Sequence, residues 1–225
     1  MSHVGNRSLS EEENKMEMDM NAMKAEIGGA FVVAWLVVGM GWGSLGAAVV
    51  MAGVWMAFSG AHVLPVITWM HMMTGDLSDA EGNWMPNGMR LLAQIVGAAL
   101  AAALATEFGN IETGWAAQAF EFPDMWGMLT MIAAGAIFWT IHTRADSAWV
   151  SGFAVMALAG MMGMTYDVTV ADVVVANVST SGAGEMAATI LDGGGDVADV
   201  AQAWIIDGLL CGLGALVAVK VDEMV

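Results

Sequence analysis

Side chains able to do chemistry are few and scattered. Of the four histidines, His71 sits in Met70-His71-Met72-Met73, a run of soft donors that could ligate a cation such as Cu(I). The chain holds 22 methionines, however, and gap-filling packing is the better account of them. The one cysteine, Cys211, lies in an apolar run, so neither an intrachain disulfide nor a cysteine-based zinc site can form. Gly193-Gly194-Gly195 lacks the lysine and the strand-to-helix setting of a phosphate loop, and Asn177-Val178-Ser179 matches a glycosylation acceptor by pattern alone. No serine or cysteine nucleophile stands beside a histidine. What remains is Glu185, the one acid in the second short apolar piece, and an ionisable group at membrane depth is a functional candidate by default. The reading is of a protein that is not an enzyme and carries no cofactor and no metal centre.

The elements that must position these groups are set by composition. Of 225 residues, 58% are hydrophobic and 13% charged, whereas a soluble domain is about a quarter charged. Six long apolar segments run over 25–42, 43–61, 87–107, 125–143, 147–165 and 201–220, each long enough to approach the roughly 20 residues of a membrane-spanning helix. Glycine is frequent in them, as close helix packing in lipid favours. The six basic residues against 23 acidic ones give a net charge of −17, which repels phosphate backbones and excludes nucleic acid as a partner.

Two shorter apolar pieces, 64–74 and 179–191, follow the second and fifth segments. Each is too short to cross and of a length that fits a re-entrant segment. The chain thus reads as three spans plus three, with a short piece at the same place in each half. A repeat of odd span number must be inverted across the membrane, and paired interrupted segments in matching positions point to a transport site.

Sidedness follows from the basic residues, which cytoplasmic loops retain. With the N-terminus inside and six spans, Arg7, Lys15, Lys24, Arg90, Arg144 and Lys220 all fall on the inner side. The outer loops then carry only acids, among them Glu107, Glu112, Asp124 and Asp167. Trp42, Trp84, Trp115, Trp126, Trp149 and Trp204 stand near segment ends, as an aromatic belt would. Residues 1–24, with Glu11-Glu12-Glu13, are too acidic for a secretory leader and read as a cytoplasmic tail. Residues 25–220 read as the membrane domain and 221–225 as a cytoplasmic C-terminal tail, in an integral protein of the plasma membrane.

One segment carries a resemblance. Ser59-Gly60-Ala61-His62-Val63-Leu64-Pro65-Val66-Ile67-Thr68 resembles the S-G-A-H-x-N-P-A-V-T signature of the aquaporin and glycerol-facilitator family, with Leu64-Pro65-Val66 where that family has Asn-Pro-Ala. Ala25-Glu26-Ile27-Gly28-Gly29 is similar to the start of the family's first span, Ala93-Gln94-Ile95-Val96-Gly97-Ala98 to its third, and Trp204 with Gly208 to its sixth. The second Asn-Pro-Ala-Arg is aligned with Ser179-Thr180-Ser181-Gly182.

The resemblance implies an all-α, aquaporin-like membrane fold of six spanning helices and two re-entrant half-helices, assembled as a homotetramer in the lipid bilayer. The half-helix N-termini would meet near mid-membrane at Leu64, Pro65, Val66 and Ser179, Thr180, Ser181, where their dipoles oppose cations. Pro65 suits a first helical turn and Ser179 can cap, but Leu64 supplies no hydrogen bond. Gly182 takes the place of the family's filter arginine, which widens the mouth and removes a donor fork. His62 would line the pore through its carbonyl, Glu26 would hold loop amides with Gln94 in support, and Glu185 would sit near the second half-helix N-terminus. The function implied is passive passage of water or a small neutral solute such as glycerol or ammonia, with altered selectivity. Two other readings stay open: a non-conducting subunit of the same fold, motivated by Leu64, Val66 and Gly182, and a cation or metal pathway through Glu185, His71 and the methionines.

Overall fold

Each long apolar segment folds as a helix, and charged residues gather at the ends. The computed structural model describes residues 20–39, 44–104, 121–162, 165–170, 173–178 and 197–224. Helix α1 spans Met20–Val37, and its last residues open into a wider π-type turn at Ala34–Gly39. It is followed by α2 (Ser44–Ala57), α3 (Pro65–Thr74), a wide turn at Ala80–Trp84 leading into α4 (Met85–Ala103), α5 (Met125–Arg144) and α6 (Ala148–Leu158, continued by a 3-10 turn at Ala159–Met162). Strands β1 (Thr165–Val170) and β2 (Val173–Val178) pair antiparallel, with Thr165 opposite Val178, before α7 (Val197–Asp222). The chain is therefore mostly helical, and its six longer helices coincide closely with the six apolar segments.

They are not six equal spans. Among the described residues three stretches, Met20–Val37, Met125–Arg144 and Ala201–Asp222, are long and apolar enough to cross a membrane. Helix α2 has 14 residues, about 21 Å at 1.5 Å per residue, short of the roughly 30 Å hydrocarbon layer. Helix α6 is shorter still, at 11 residues before its 3-10 turn. Helix α4 has 19 residues but carries Asn87, Arg90 and Gln94. The second short piece, 179–191, lies outside the described residues.

Local chemistry sets several boundaries. Asp124 accepts a hydrogen bond from the Gly127 amide at 2.7 Å at the head of α5, as an N-cap does. Ser147 occupies the same position for α6, accepting from Val150 at 3.5 Å. Helix α5 ends on Arg144, a cation suited to the negative end of its dipole.

Packing relates the two halves. Helix α1 lies against α4, α5 against α7, and α2 against α6. These are the first and third long helices of each half paired with one another, and the two second helices paired across the halves. Small residues make each approach possible: a Cβ at Gly97 would strike the Ile27 carbonyl, one at Gly135 the Cys211 carbonyl, and one at Gly152 would lie 2.8 Å from the Ala48 carbonyl oxygen. Helix α3 packs mainly on α7 and is enclosed, with seven of its ten residues buried. The outer faces, by contrast, are apolar, as the exposed stripe Met85, Met89, Leu92, Val96 and Leu100 on α4 shows. Such a face is expected against lipid rather than water.

One end of the bundle collects basic groups. Arg90 donates to the Gly60 carbonyl, Arg144 pairs with Asp222, and Lys220 with Glu223. Trp84 and Trp149 are exposed at that end and Trp126 at the other, as interfacial indoles are.

The glycine contacts give a measurable expectation. Gly135→Val should lower the thermal midpoint in detergent, because overpacking a close contact costs about 1–3 kcal/mol. Gly53→Ala should be neutral or stabilising, since its Cβ meets nothing within 4 Å and alanine is the better helix former. Equal midpoints for the two variants would contradict the packing described.

Candidate functional site

The loop between α2 and α3 turns the chain back into the bundle through two residues of positive φ, Gly60 at 82° and Val63 at 68°. A β-branched residue there is strained, and such a conformation persists only when its surroundings over-determine it, at about 1–3 kcal/mol. Glu26 is what fixes it. Its Oε1 accepts from the His62 amide at 2.6 Å and its Oε2 from the Val63 amide at 2.6 Å. Hydrogen bonds to a carboxylate are roughly twice as strong as neutral ones.

The rest of the carboxylate is matched from α4. Arg90 Nη1 donates to Oε1 at 2.7 Å and Gln94 Nε2 to Oε2 at 2.8 Å. The two side chains stand four residues apart, on one helix face. Arg90 Nη1 also reaches the Gly60 carbonyl at 2.8 Å, and Gln94 Nε2 the Thr68 hydroxyl at 2.9 Å. Glu26 is 0% exposed and the Arg90 side chain 21%. The buried charge is thus paired and fully hydrogen-bonded, the condition for placing one away from water. The Gln94 carbonyl oxygen has no partner among the described residues.

The head of α3 is apolar. Leu64 takes the N-cap position without a side-chain hydrogen bond, and Pro65 follows at N1, where its missing N–H costs nothing. Leu64 is 1% exposed and, with Val66, belongs to the main core cluster. Ser179, Thr180, Ser181, Gly182 and Glu185 lie outside the described residues. The His62 carbonyl accepts from the Leu64 amide at 2.8 Å and from Trp55 Nε1 at 3.4 Å. At the far end of α3, Asn83 Nδ2 closes the helix by donating to the Met72 and Asp76 carbonyls. Two hydrogen bonds from Ser78 hold the exposed Asp76 carboxyl below its usual range.

Beside the loop, at the basic end of the bundle, lies a cavity of about 350 Å³. Its walls come from Trp55 on α2, Gly60 to His62 on the loop, Ile67 and His71 on α3, His142 on α5, and the corner Ala145 to Ala148 with Ser151. The His62 and His71 rings stack at 4.0 Å and 2°, and His142 stands edge-on to His71 at 6.3 Å. His62 Nδ1 meets Thr68 Oγ1 at 3.2 Å and His142 Nδ1 meets Ser151 Oγ at 2.9 Å. Among the described residues no group of three or more His, Cys, Asp or Glu is arranged to hold a metal ion. Met70 and Met72 are buried in packing. His142 was not identifiable from its own neighbours in sequence; only its place in the last turn of an apolar helix set it apart.

No family model matches the chain, and no curated protein matches it.

The anchor is testable by stability. Glu26→Ala strands Arg90 and two loop amides, and removing one partner of a buried pair costs about 3–5 kcal/mol. A fall of several degrees in the thermal midpoint is expected. Arg90→Gln should cost less, because the carboxylate keeps three donors. A wild-type midpoint for Glu26→Ala would refute the anchoring role.

Proposed function

We propose that the chain forms a passive channel of the aquaporin and glycerol-facilitator type, admitting water or a small neutral solute. The observation that carries this reading is the enclosed ten-residue helix α3, whose entry loop is held by the Glu26 carboxylate at the His62 and Val63 amides. A ten-residue helix is about 15 Å long, half the hydrocarbon layer, which is the length a half-helix needs. The match at residues 59–68 and the pairing of α1 with α4, α5 with α7 and α2 with α6 support an inverted three-plus-three repeat. In this reading α1, α2, α4, α5, α6 and α7 are the six spans, and 179–191 forms the second half-helix. The basic end is cytoplasmic, and four protomers assemble in the plasma membrane. Gly182 leaves the outer mouth wide, so selectivity is not strict for water.

A second reading has its own support. Leu64 is packed into the core at 1% exposure, and an apolar constriction can close by dewetting. The same fold would then serve as a non-conducting assembly subunit.

Leu64→Asn separates the two. An unmade hydrogen bond at the point where single-file water has lost its own partners costs about 1–3 kcal/mol, a factor of roughly 5 to 150 in rate. The variant should therefore pass water at least about fivefold faster than the unmodified protein in stopped-flow measurements on matched proteoliposomes. Equal nonzero rates would show that Leu64 does not limit flow, and zero in both would favour the assembly subunit.

A further inference from the structure

The cavity at the basic end holds three of the chain's four histidines, yet nothing in the channel reading above uses them. They come from three separate elements, the loop, α3 and α5, and converge on one space. The His71 ring has no hydrogen bond among the described residues; its ring contacts are with His62, Trp139 and His142. Parallel stacking on His62 at 4.0 Å keeps at least one of the two rings uncharged, because two imidazolium charges at that distance repel strongly. A neutral imidazole offers one bare nitrogen and one N–H. The Thr68 and Ser151 hydroxyls occupy one nitrogen each of His62 and His142. This leaves the second nitrogen of each, and both of His71, for an occupant.

We propose that this cavity selects a small uncharged nitrogen base, of the ammonia and methylamine class, as the permeant; the proposal rests on the channel reading. The bare imidazole nitrogens accept hydrogen bonds from an N–H-rich solute, and the wall is otherwise apolar at Ile67 and Trp55. In the channel reading the next step is the head of α3, where Leu64 and Val66 are packed into the core and offer no side-chain hydrogen bond to replace lost hydration. Ammonia surrenders less hydration than water or a polyol on entering such a segment, so an imidazole cavity followed by an apolar step favours the base over both. Asp146, an exposed carboxylate on the cavity rim, attracts the protonated form to the mouth. The ammonium ion then leaves its proton with water on that side, and only the uncharged base enters.

The test is uptake into proteoliposomes loaded with a pH-sensitive dye, where entry of ammonia or methylamine raises the internal pH. Empty vesicles give the background. The expected result is a base flux at least tenfold over background that exceeds the glycerol flux and falls at least tenfold in His71→Phe. His142→Gln, which keeps a polar side chain at a partly exposed position, should reduce it by a smaller factor and guards against misfolding of the first variant. Passage of water or glycerol with no base flux over background would overturn the proposal while leaving the channel intact, as would a base flux unchanged in both variants. Absence of every flux in the unmodified protein would overturn the channel reading and this proposal with it.

Discussion

A single buried carboxylate decides where the polypeptide can go. Glu26 accepts four hydrogen bonds, two from loop amides and two from α4 side chains. An ionised group this far from water is tolerable only when every lone pair is answered and an opposite charge is near. That requirement fixes α1 against α4, sets the loop between α2 and α3, and holds Val63 in a conformation it would otherwise leave. Without it, α3 has no reason to begin where it does, inside an apolar bundle with an uncapped leucine at its head.

The helices around this anchor are joined by surface shape more than by polar chemistry. Lipid removes the hydrophobic drive between helices, so association depends on close contact. Gly97, Gly135 and Gly152 each admit a neighbouring backbone, and they do so at corresponding interfaces of the two halves. The pattern of contacts, rather than any likeness of side chains, is what the two halves of the chain share.

Several parts of this were legible beforehand. The apolar segments marked the helices to within a few residues, and the likeness of residues 25–29 and 93–98 to known motifs singled out Glu26 and Gln94 before any contact was visible. Arg90 was read only as an inner-side charge, although its spacing of four from Gln94 already put both on one face of α4. Helix length was not legible, because α2 and α6 stop after 14 and 11 residues within longer apolar runs, and hydropathy does not register where a helix ends. The cavity was invisible for a different reason. His62, His71 and His142 are separated by up to 80 positions, and no local pattern marks residues that meet only through packing.

In the proposed channel, the head of α3 and the cavity beside it would impose opposite demands in series. At Leu64 and Val66 the side chains offer contact but no hydrogen bond, so a solute passing there is judged by what it must give up. In the cavity the imidazole edges offer hydrogen bonds without charge, so a solute is judged by what it can donate. Water is penalised most at the first, because it depends on several partners at once. An ion is penalised at the head of α3, which supplies no counter-charge and whose helix dipole opposes a cation. The polar groups that could have relieved the first step, Glu26, Arg90, Gln94 and Thr68, are spent on one another and on the loop. Structure and selectivity would then not be independent: in the proposed channel the side chains that hold the loop in place are withdrawn from the path, and the histidine rings are left to meet a solute.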